Sequence, residues 1–461
     1  MSRTPIGGQM LARWALMTSC GIAALGTAGC SQAQSESASP PQPRPVVGQL
    51  AFPGAVGHGA AAAGGRGGRV IVVDTLADAG PGSLRACVEQ TGPRTCVFRV
   101  SGVIRFTDRP PVIRNPYLTI AGQTAPGGGI TLAHSGGAVA RTPLLLKGTH
   151  DIVIRHIRVR NDRTGGSRGS EDSFTIEDSD NVILDHVSAS WARDELVNAY
   201  GDNDRITISN SIFAEGIPRH DKCALLASDP EGPQRLSFIG NLCAHSGDRN
   251  PDLNFPPESC VEIVNNVMYN AQSEFAEIWE SFGGAPVALI GNNFIGGPNT
   301  NPKTVGIARN ILGSEGLAKV YLWDNRFEGD FMHVSPLIAS VTVATPPCAG
   351  TITAAPAKDA YKTVLLSAGA FPRDSFDTKI VANVRGRSGR IVHAPGEIPS
   401  IAEGTPYPDR DGDGMDDGWE ASHGADPQRF DPWDGNRNGL VNLDRFLDDL
   451  SRRVMATSEH P

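Results

Sequence analysis

Two stretches of this sequence carry side chains whose type and spacing could hold a metal ion, and two short loops carry cations that could meet an anion. Near the C-terminus, Asp409-Arg410-Asp411-Gly412-Asp413-Gly414-Met415-Asp416-Asp417-Gly418-Trp419-Glu420 sets side-chain oxygens at loop positions 1, 3, 5, 9 and 12 (Asp409, Asp411, Asp413, Asp417 and Glu420), with glycine at 6 and a backbone carbonyl expected at 7. Hard oxygen donors at this spacing suit Ca²⁺. A second copy, from Asp434 to Arg445, keeps the glycine at Gly439 but ends on Arg445, so it should bind weakly unless Asp444 substitutes. Further acids stand in mid-chain, Asp172 before Phe174-Thr175-Ile176 and Asp194 with Glu195 after Trp191. The cations are Lys222, in His220-Asp221-Lys222-Cys223, and Arg249, in Gly247-Asp248-Arg249-Asn250-Pro251. No HExxH run occurs, so zinc-protease chemistry has no support.

The elements that must position these residues are announced by a repeat. Ile152-Val153-Ile154-Arg155-His156 returns as Val182-Ile183-Leu184-Asp185-His186, Ile206-Thr207-Ile208-Ser209-Asn210 and Leu236-Ser237-Phe238-Ile239-Gly240-Asn241. It continues through Val261 to Asn266, Val287 to Asn292 and Val320 to Asn325. A unit of this length, with a short alternating strand and no amphipathic helix to cover a sheet, predicts an all-β right-handed parallel β-helix, a solenoid. Strands around Arg69 to Val73, Val97 to Val100 and Leu118 to Ala121 should begin the same stack. Asn210, Asn241 and Asn266 are assigned to the scaffold, taking left-handed geometry at a corner and bonding a neighbouring backbone. Stacked period-2 strands can bring Asp172 and Asp194 onto one face. His156, His186 and His245 are read as structural, and Trp191 as a core or cleft-wall aromatic.

Several motifs in order carry a resemblance. Ala51-Phe52-Pro53-Gly54-Ala55, Gly64-Gly65-Arg66-Gly67-Gly68, Gly80-Pro81-Gly82-Ser83-Leu84-Arg85, Ile120 to Gly127 and Asp185-His186-Val187-Ser188-Ala189-Ser190-Trp191 resemble the pectate lyases of polysaccharide lyase family 1. The resemblance implies a parallel β-helix, an extracellular setting, and calcium-assisted cleavage of polygalacturonate by β-elimination. It places calcium ligands at Asp172, Asp194 and Asn198, with help from Glu171 or Glu195. Lys222 then holds a substrate carboxylate, and Arg249 is the residue that handles the C5 proton. Asn198 and Ser170 stand where family members carry Asp, which implies weaker calcium binding without substrate, and Asn254 falls near where a second arginine is often found, which implies a different grip on substrate. Abstraction beside a uronate carboxylate needs that carboxylate neutralised, a task for a hard Lewis acid. A guanidinium is normally never a free base, so an electrostatic role for Arg249, with water or hydroxide taking the proton, stays open.

Composition bounds the rest. With 53 Gly and 34 Pro in 461 residues and 39% hydrophobic content, the chain can bury a large core. A net charge of −9 argues against a nucleic-acid partner. Arg3 and Arg13 precede an apolar run from Trp14 to Ala28, too short to span a bilayer, so residues 1–30 read as an export signal. Thr27-Ala28-Gly29-Cys30 is similar to a lipoprotein cleavage box, which leaves secretion or an outer-membrane lipid anchor at Cys30 as the two expectations. Residues 31–48 are a Pro/Ser-rich linker, 49–400 the β-helix and 405–452 a separate small helical calcium-binding module, EF-hand-like, whose protein partner is not legible. Outside the leader six cysteines remain, and Cys87 and Cys96 should pair locally while Cys223, Cys243, Cys260 and Cys348 allow several pairings. Two other functions fit the same fold, a polygalacturonase-type hydrolase with paired carboxylates and a non-catalytic polysaccharide-binding β-helix.

Overall fold

The repeated phrases stack directly on one another. In the computed structural model, which describes residues 49–136, 141–163, 171–218, 220–435 and 440–457, Ile152, Val182, Ile206, Leu236, Val261, Val287 and Val320 stand in register on consecutive parallel strands. Their sheet has ten strands, from Arg69–Val73 to Lys319–Trp323. A second sheet of nine runs from Val112–Ile113 to Met332–Val334, and a third of nine from Gly102–Phe106 to Arg326–Glu328. After Arg69–Val73, which joins the first sheet alone, each coil contributes one strand to each sheet, which is the expected parallel β-helix. Alternation decides what fills it: Ile206 and Ile208, Leu236 and Phe238, Val261 and Ile263 point inward and are 0% exposed. Each such side chain contributes about 1.5–3 kcal/mol on burial. The signal and linker assigned to residues 1–48, with Cys30, lie outside the described residues.

One corner shows how the coils lock. His156, His186, Asn210, Gly240, Asn265, Gly291 and Asp324 all have positive φ there. The next residue in four successive coils, Asn241, Asn266, Asn292 and Asn325, has a different task. Its side-chain oxygen accepts the backbone N–H one coil back (Ser211 to Asn241 2.9 Å, Asn241 to Asn266 2.8 Å, Asn266 to Asn292 3.0 Å, Asn292 to Asn325 3.1 Å). Its amide donates to Ile208, Phe238, Ile263 and Leu289 carbonyls respectively. The two roles expected of every corner asparagine are therefore split: Asn210 takes the left-handed turn, while Asn241 and Asn266 supply the hydrogen bonds without it.

The first coil begins differently from the expectation. Its strand is Arg94–Phe98, not 97–100, because Arg94 is drawn into the stack. Fully buried, its guanidinium donates to the carbonyls of Cys87, Val88, Gly92, Asn115 and Pro116. Helix α1 (Leu84–Val88), capped by Ser83, lays Leu84 and Val88 over this end of the core, and Cys87 pairs with Cys96 as expected. The other bridges are Cys223–Cys243 and Cys260–Cys348.

Helices α2 (Ala357–Ser367) and α3 (Ser375–Gly386) cover the outer face of the third sheet, a layer the repeat did not announce. The strand residues explain it. Ile212, Leu242 and Val267 face outward while Phe213, Cys243 and Met268 face the core, so both faces are apolar and the outer one needs a cover. Val364, Leu365, Phe376, Ile380 and Val384 provide it. Two arginines on the same sheet, Arg158 and Arg160, are fully buried. Arg160 reaches Asp374 and Asp377 at 2.9 Å each, and Asp374 in turn caps α3. The C-terminal segment, with helices α4 (Asp417–His423) and α5 (Asn442–Thr457), lies on early coils of the first sheet. There Met415, Trp419, Leu443, Phe446 and Leu447 pack against Ala121. Trp419 and Phe446 meet edge to face at 5.4 Å between the helices. Ser451 of α5 binds Arg155 and His156, and Arg155 pairs with Asp185 at 3.0 Å.

Two outcomes follow. Asn266→Ala leaves the Asn241 N–H and the Phe238 carbonyl buried and unpaired, and should cost about 2–5 kcal/mol in denaturant unfolding. Burial alone would raise the Asp185 carboxyl, but His186 and Arg155 outweigh it and hold the group far below the ordinary carboxylate range. A depressed carboxyl contributes stability in full above its unfolded pKa and loses it as pH falls toward the folded one, so the melting difference between the native chain and Asp185→Asn should be full at neutral pH and begin to shrink only below about pH 4.

Candidate active site

The second sheet carries the site, and coil register assembles it. Thr175 on strand Phe174–Glu177 lies opposite Asn198 on Glu195–Tyr200, Asn198 opposite Leu225 on Lys222–Ser228, Leu225 opposite Asp252, and Asp252 opposite Glu277. Glu195 lies opposite Lys222, and Lys222 bridges to Asp248. Polar groups from four coils thus stand in one line interrupted by Leu225, and Glu195, Lys222 and Asp248 form a second line beside it. Strands pair about 4.8 Å apart, so these residues cannot avoid one another.

At the acidic end Asp172 is buried. One of its oxygens accepts the Glu195 N–H at 3.1 Å, and the other accepts from Thr175 Oγ1 at 2.6 Å and Asn198 Nδ2 at 3.2 Å. That leaves Asn198 Oδ1 buried with no hydrogen-bond partner. Asp194 is bonded to His220 Nδ1, and Asp194, Glu195 and His220 bring one ligand atom each within 4.8 Å of one another. Burial, reinforced by the Asp194 charge, pushes Asp172 up to about 7. Burial, then the charges of Asp172 and Asp194, push Glu195 up to about 9 against the pull of Arg249. Glu171 is buried against Asn161.

The cations stand one and two coils away. Lys222 pairs with Asp248. Arg249 lies between Glu195, 2.5 Å from Nη1, and Asp252, 3.3 Å from Nε. Burial works against its charge, but Asp252 and Glu195 more than compensate and raise its pKa above the ordinary value. Beyond it burial and the Glu277 charge hold Asp252 well above the usual range, and burial pushes Glu274 up to about 7.

All the mid-chain residues singled out from sequence therefore meet: Asp172, Asp194, Glu195, Asn198, Lys222 and Arg249. Ser170 lies outside the described residues. The donors fit a hard cation, since burial and neighbouring carboxylate charges raise Asp172 and Glu195 and an amide oxygen is left orphaned beside them. His156 and His186 stack at 5.1 Å beneath Phe371, His245 binds Asn270, and Trp191 is buried against Phe376, all structural. Sequence reasoning missed His220, Asp248, Asp252 and Glu277. The first two lie inside the loops that contain Lys222 and Arg249. Asp252 and Glu277 are separated by the same 25 residues as Asn241 and Asn266, so the coil length itself was the signal.

In the C-terminal segment Asp409, Asp411 and Asp413 converge, and Asp413, Glu420 and Asp431 form a second group. Asp417 turns back, accepting the Arg410 N–H at 2.9 Å, and Asp431 was not foreseen. Among the described residues no helix precedes Asp409 closely, the nearest being α3, so the loop has only an exit helix. Of the second copy, residues 436–439 lie outside the described residues, and Asp444 is taken by Arg66 at 2.7 Å.

Comparison with known proteins agrees with this geometry. The chain is 36% identical over 422 residues to "Probable pectate lyase C" of Aspergillus flavus, covering 87% of this chain and 94% of the relative. The chain belongs to the pectate lyase family. The Aspergillus oryzae protein of the same name is 35% identical over a similar span, 87% of this chain and 94% of that protein. Among solved structures, Jun a 1, the major allergen from cedar pollen, superposes with a TM-score of 0.50 at 18% identity, covering 68% of this chain and 92% of that one, a likeness of fold. No family model matches the chain. As a pectate lyase family member it is a polysaccharide lyase by kinship, and its acids and cations occupy one sheet face of the β-helix. Asp194→Ala should weaken calcium binding at least about tenfold by titration calorimetry in substrate-free protein, as expected for loss of a charged ligand; an unchanged affinity would place the ion elsewhere.

Proposed function

We propose that the chain cleaves polygalacturonate, the backbone of pectin, by calcium-dependent β-elimination and leaves 4,5-unsaturated oligogalacturonides. The observation that carries this reading is the placement of Arg249 and Lys222 on coils adjoining the Asp172, Asp194 and Glu195 carboxylates. Polygalacturonate presents a carboxylate on every sugar, and elimination places further charge on the one beside C5. Asp172, Asp194, Glu195 and Asn198 would hold Ca²⁺, whose chemistry is to neutralise that carboxylate as a Lewis acid.

The chain's own cations do the remaining work. Lys222, held by Asp248, exchanges that partner for a substrate carboxylate. Arg249 is kept cationic by Glu195 and Asp252, which makes it a poor base. It therefore stabilises the charge that develops as the C5 proton leaves, and water or hydroxide takes the proton. With the export signal and the cleavage-box resemblance at Cys30, the reading places this activity outside the cell, free or lipid-anchored.

The test is ultraviolet absorbance of polygalacturonate incubated with the protein. The expected result is a rise from unsaturated product that a calcium chelator abolishes. Arg249→Lys should lose about 100-fold or more in kcat, the scale of removing one preorganised charge-stabilising donor. Full turnover in that variant would remove Arg249 from the mechanism, and new reducing ends without absorbance would indicate hydrolysis.

A further inference from the structure

Glu420 is the most demanding side chain of the C-terminal segment. It is fully buried, and neither carboxylate oxygen has a hydrogen-bond partner. The acids beside it, Asp413 and Asp431, are also buried, and the three bring ligand oxygens within 4.8 Å of one another. Three converging buried carboxylates repel one another strongly unless a cation sits among them. Arginines reach only the rim of the cluster: Arg99 meets Asp409 at 3.2 Å and Arg429 meets Asp431 at 2.8 Å. Among the described residues no ion pair reaches Glu420.

Asp413 also belongs to the group formed with Asp409 and Asp411. We infer that Asp409, Asp411, Asp413, Glu420 and Asp431 hold a calcium ion that fastens the C-terminal segment to the first coils of the β-helix, separate from the catalytic site. This goes beyond the loop pattern in the sequence, because Asp431 lies outside the twelve residues and takes the place expected of Asp417. Many oxygens in an irregular cage suit calcium better than magnesium, which demands a near-ideal octahedron.

The position of these acids explains the fastening. They come from three segments: the loop, helix α4 and the stretch before α5. Asp431 accepts from Asn442, the first residue of α5, and its own N–H reaches Asp413 at 3.4 Å. On the β-helix side, Arg99 donates to the Tyr407 carbonyl at 2.6 Å, Tyr407 OH donates to the Gly414 carbonyl at 2.8 Å, and Trp433 donates to the Gly68 carbonyl at 2.8 Å. Gly414, at φ +89, lies so close that a Cβ there would come within 2.8 Å of Val70. An ion among these acids would tie the loop, α4 and the stretch before α5 to one another, as a cross-link would, and so hold in shape the surface that Arg99, Gly68 and Val70 meet.

The test uses the exported full chain with Glu420→Gln and Asp431→Asn as independent variants, without substrate. Calorimetric titration should show one calcium ion more in the native chain than in either variant, and Asp194→Ala should keep this ion. Chelation should speed amide hydrogen exchange across residues 409–435 and α5, and lower the melting temperature by roughly 3 °C at calcium levels about 100-fold above its dissociation constant. Equal calcium counts in the native chain and both variants would overturn the inference, as would exchange across 409–435 that ignores the chelator. Neither outcome depends on lyase activity, so the proposed function stands or falls apart from it.

Discussion

Parallel coils that stack in register leave no freedom over who neighbours whom. A residue in the second sheet sits one strand spacing from its counterpart in the next coil, whatever the charges on the two. Asn198, Asp252 and Glu277 therefore lie in one line with Leu225, and Asp172, Glu195 and Lys222 beside it. This enforced crowding is what the site uses. Carboxylates that would repel one another in a loop are held together by a core that cannot shift, and Arg249 and Lys222 meet part of their charge; the proposed Ca²⁺ would meet the rest. The asparagine ladder from Asn241 to Asn325 pins one corner of each coil to the next, whatever the length of the coil between.

Electrostatics at the site follow from burial as much as from sign. Asp172 and Glu195 are raised chiefly because water is excluded, and the Asp194 charge on both, with that of Asp172 on Glu195, adds to it. Arg249 is affected oppositely, since flanking acids overcome the cost of its burial. A carboxylate cluster that resists ionisation alone is poised to take a metal, whereas an arginine locked in its cationic form is poised to meet an anion. The same logic recurs under α3, where Arg158 and Arg160 are buried only because Asp374 and Asp377 come with the helix that covers them.

Much of this was legible in the residues. Apolar alternation ending at His156, His186 and Asn210 named the first sheet strand by strand, and the Cys87–Cys96 bridge followed from a short gap across a turn. The motifs that contain Lys222 and Arg249 named the cations. What stayed hidden depended on distance along the chain rather than on local pattern. Glu277 joins the site only because a 25-residue coil returns it beneath Asp252, and Asp431 reaches Glu420 only because α4 folds back. Helices α2 and α3 were missed because the reason for them lies elsewhere, in third-sheet strands that are apolar on both faces. The split between left-handed corners and hydrogen-bonding asparagines turned on a one-residue offset that a repeat cannot resolve.

The central claim is that Arg249 and Lys222, set against the acid line, promote elimination and not hydrolysis. Mass spectrometry of oligogalacturonides released from polygalacturonate in water enriched in heavy oxygen addresses it most directly. Elimination breaks the glycosidic bond without adding water, so the account predicts products short of one water in mass and free of the label at the cleaved end. Products with the full mass of hydrolysed fragments, carrying one labelled oxygen for each bond cleaved, at the new reducing end, would contradict it.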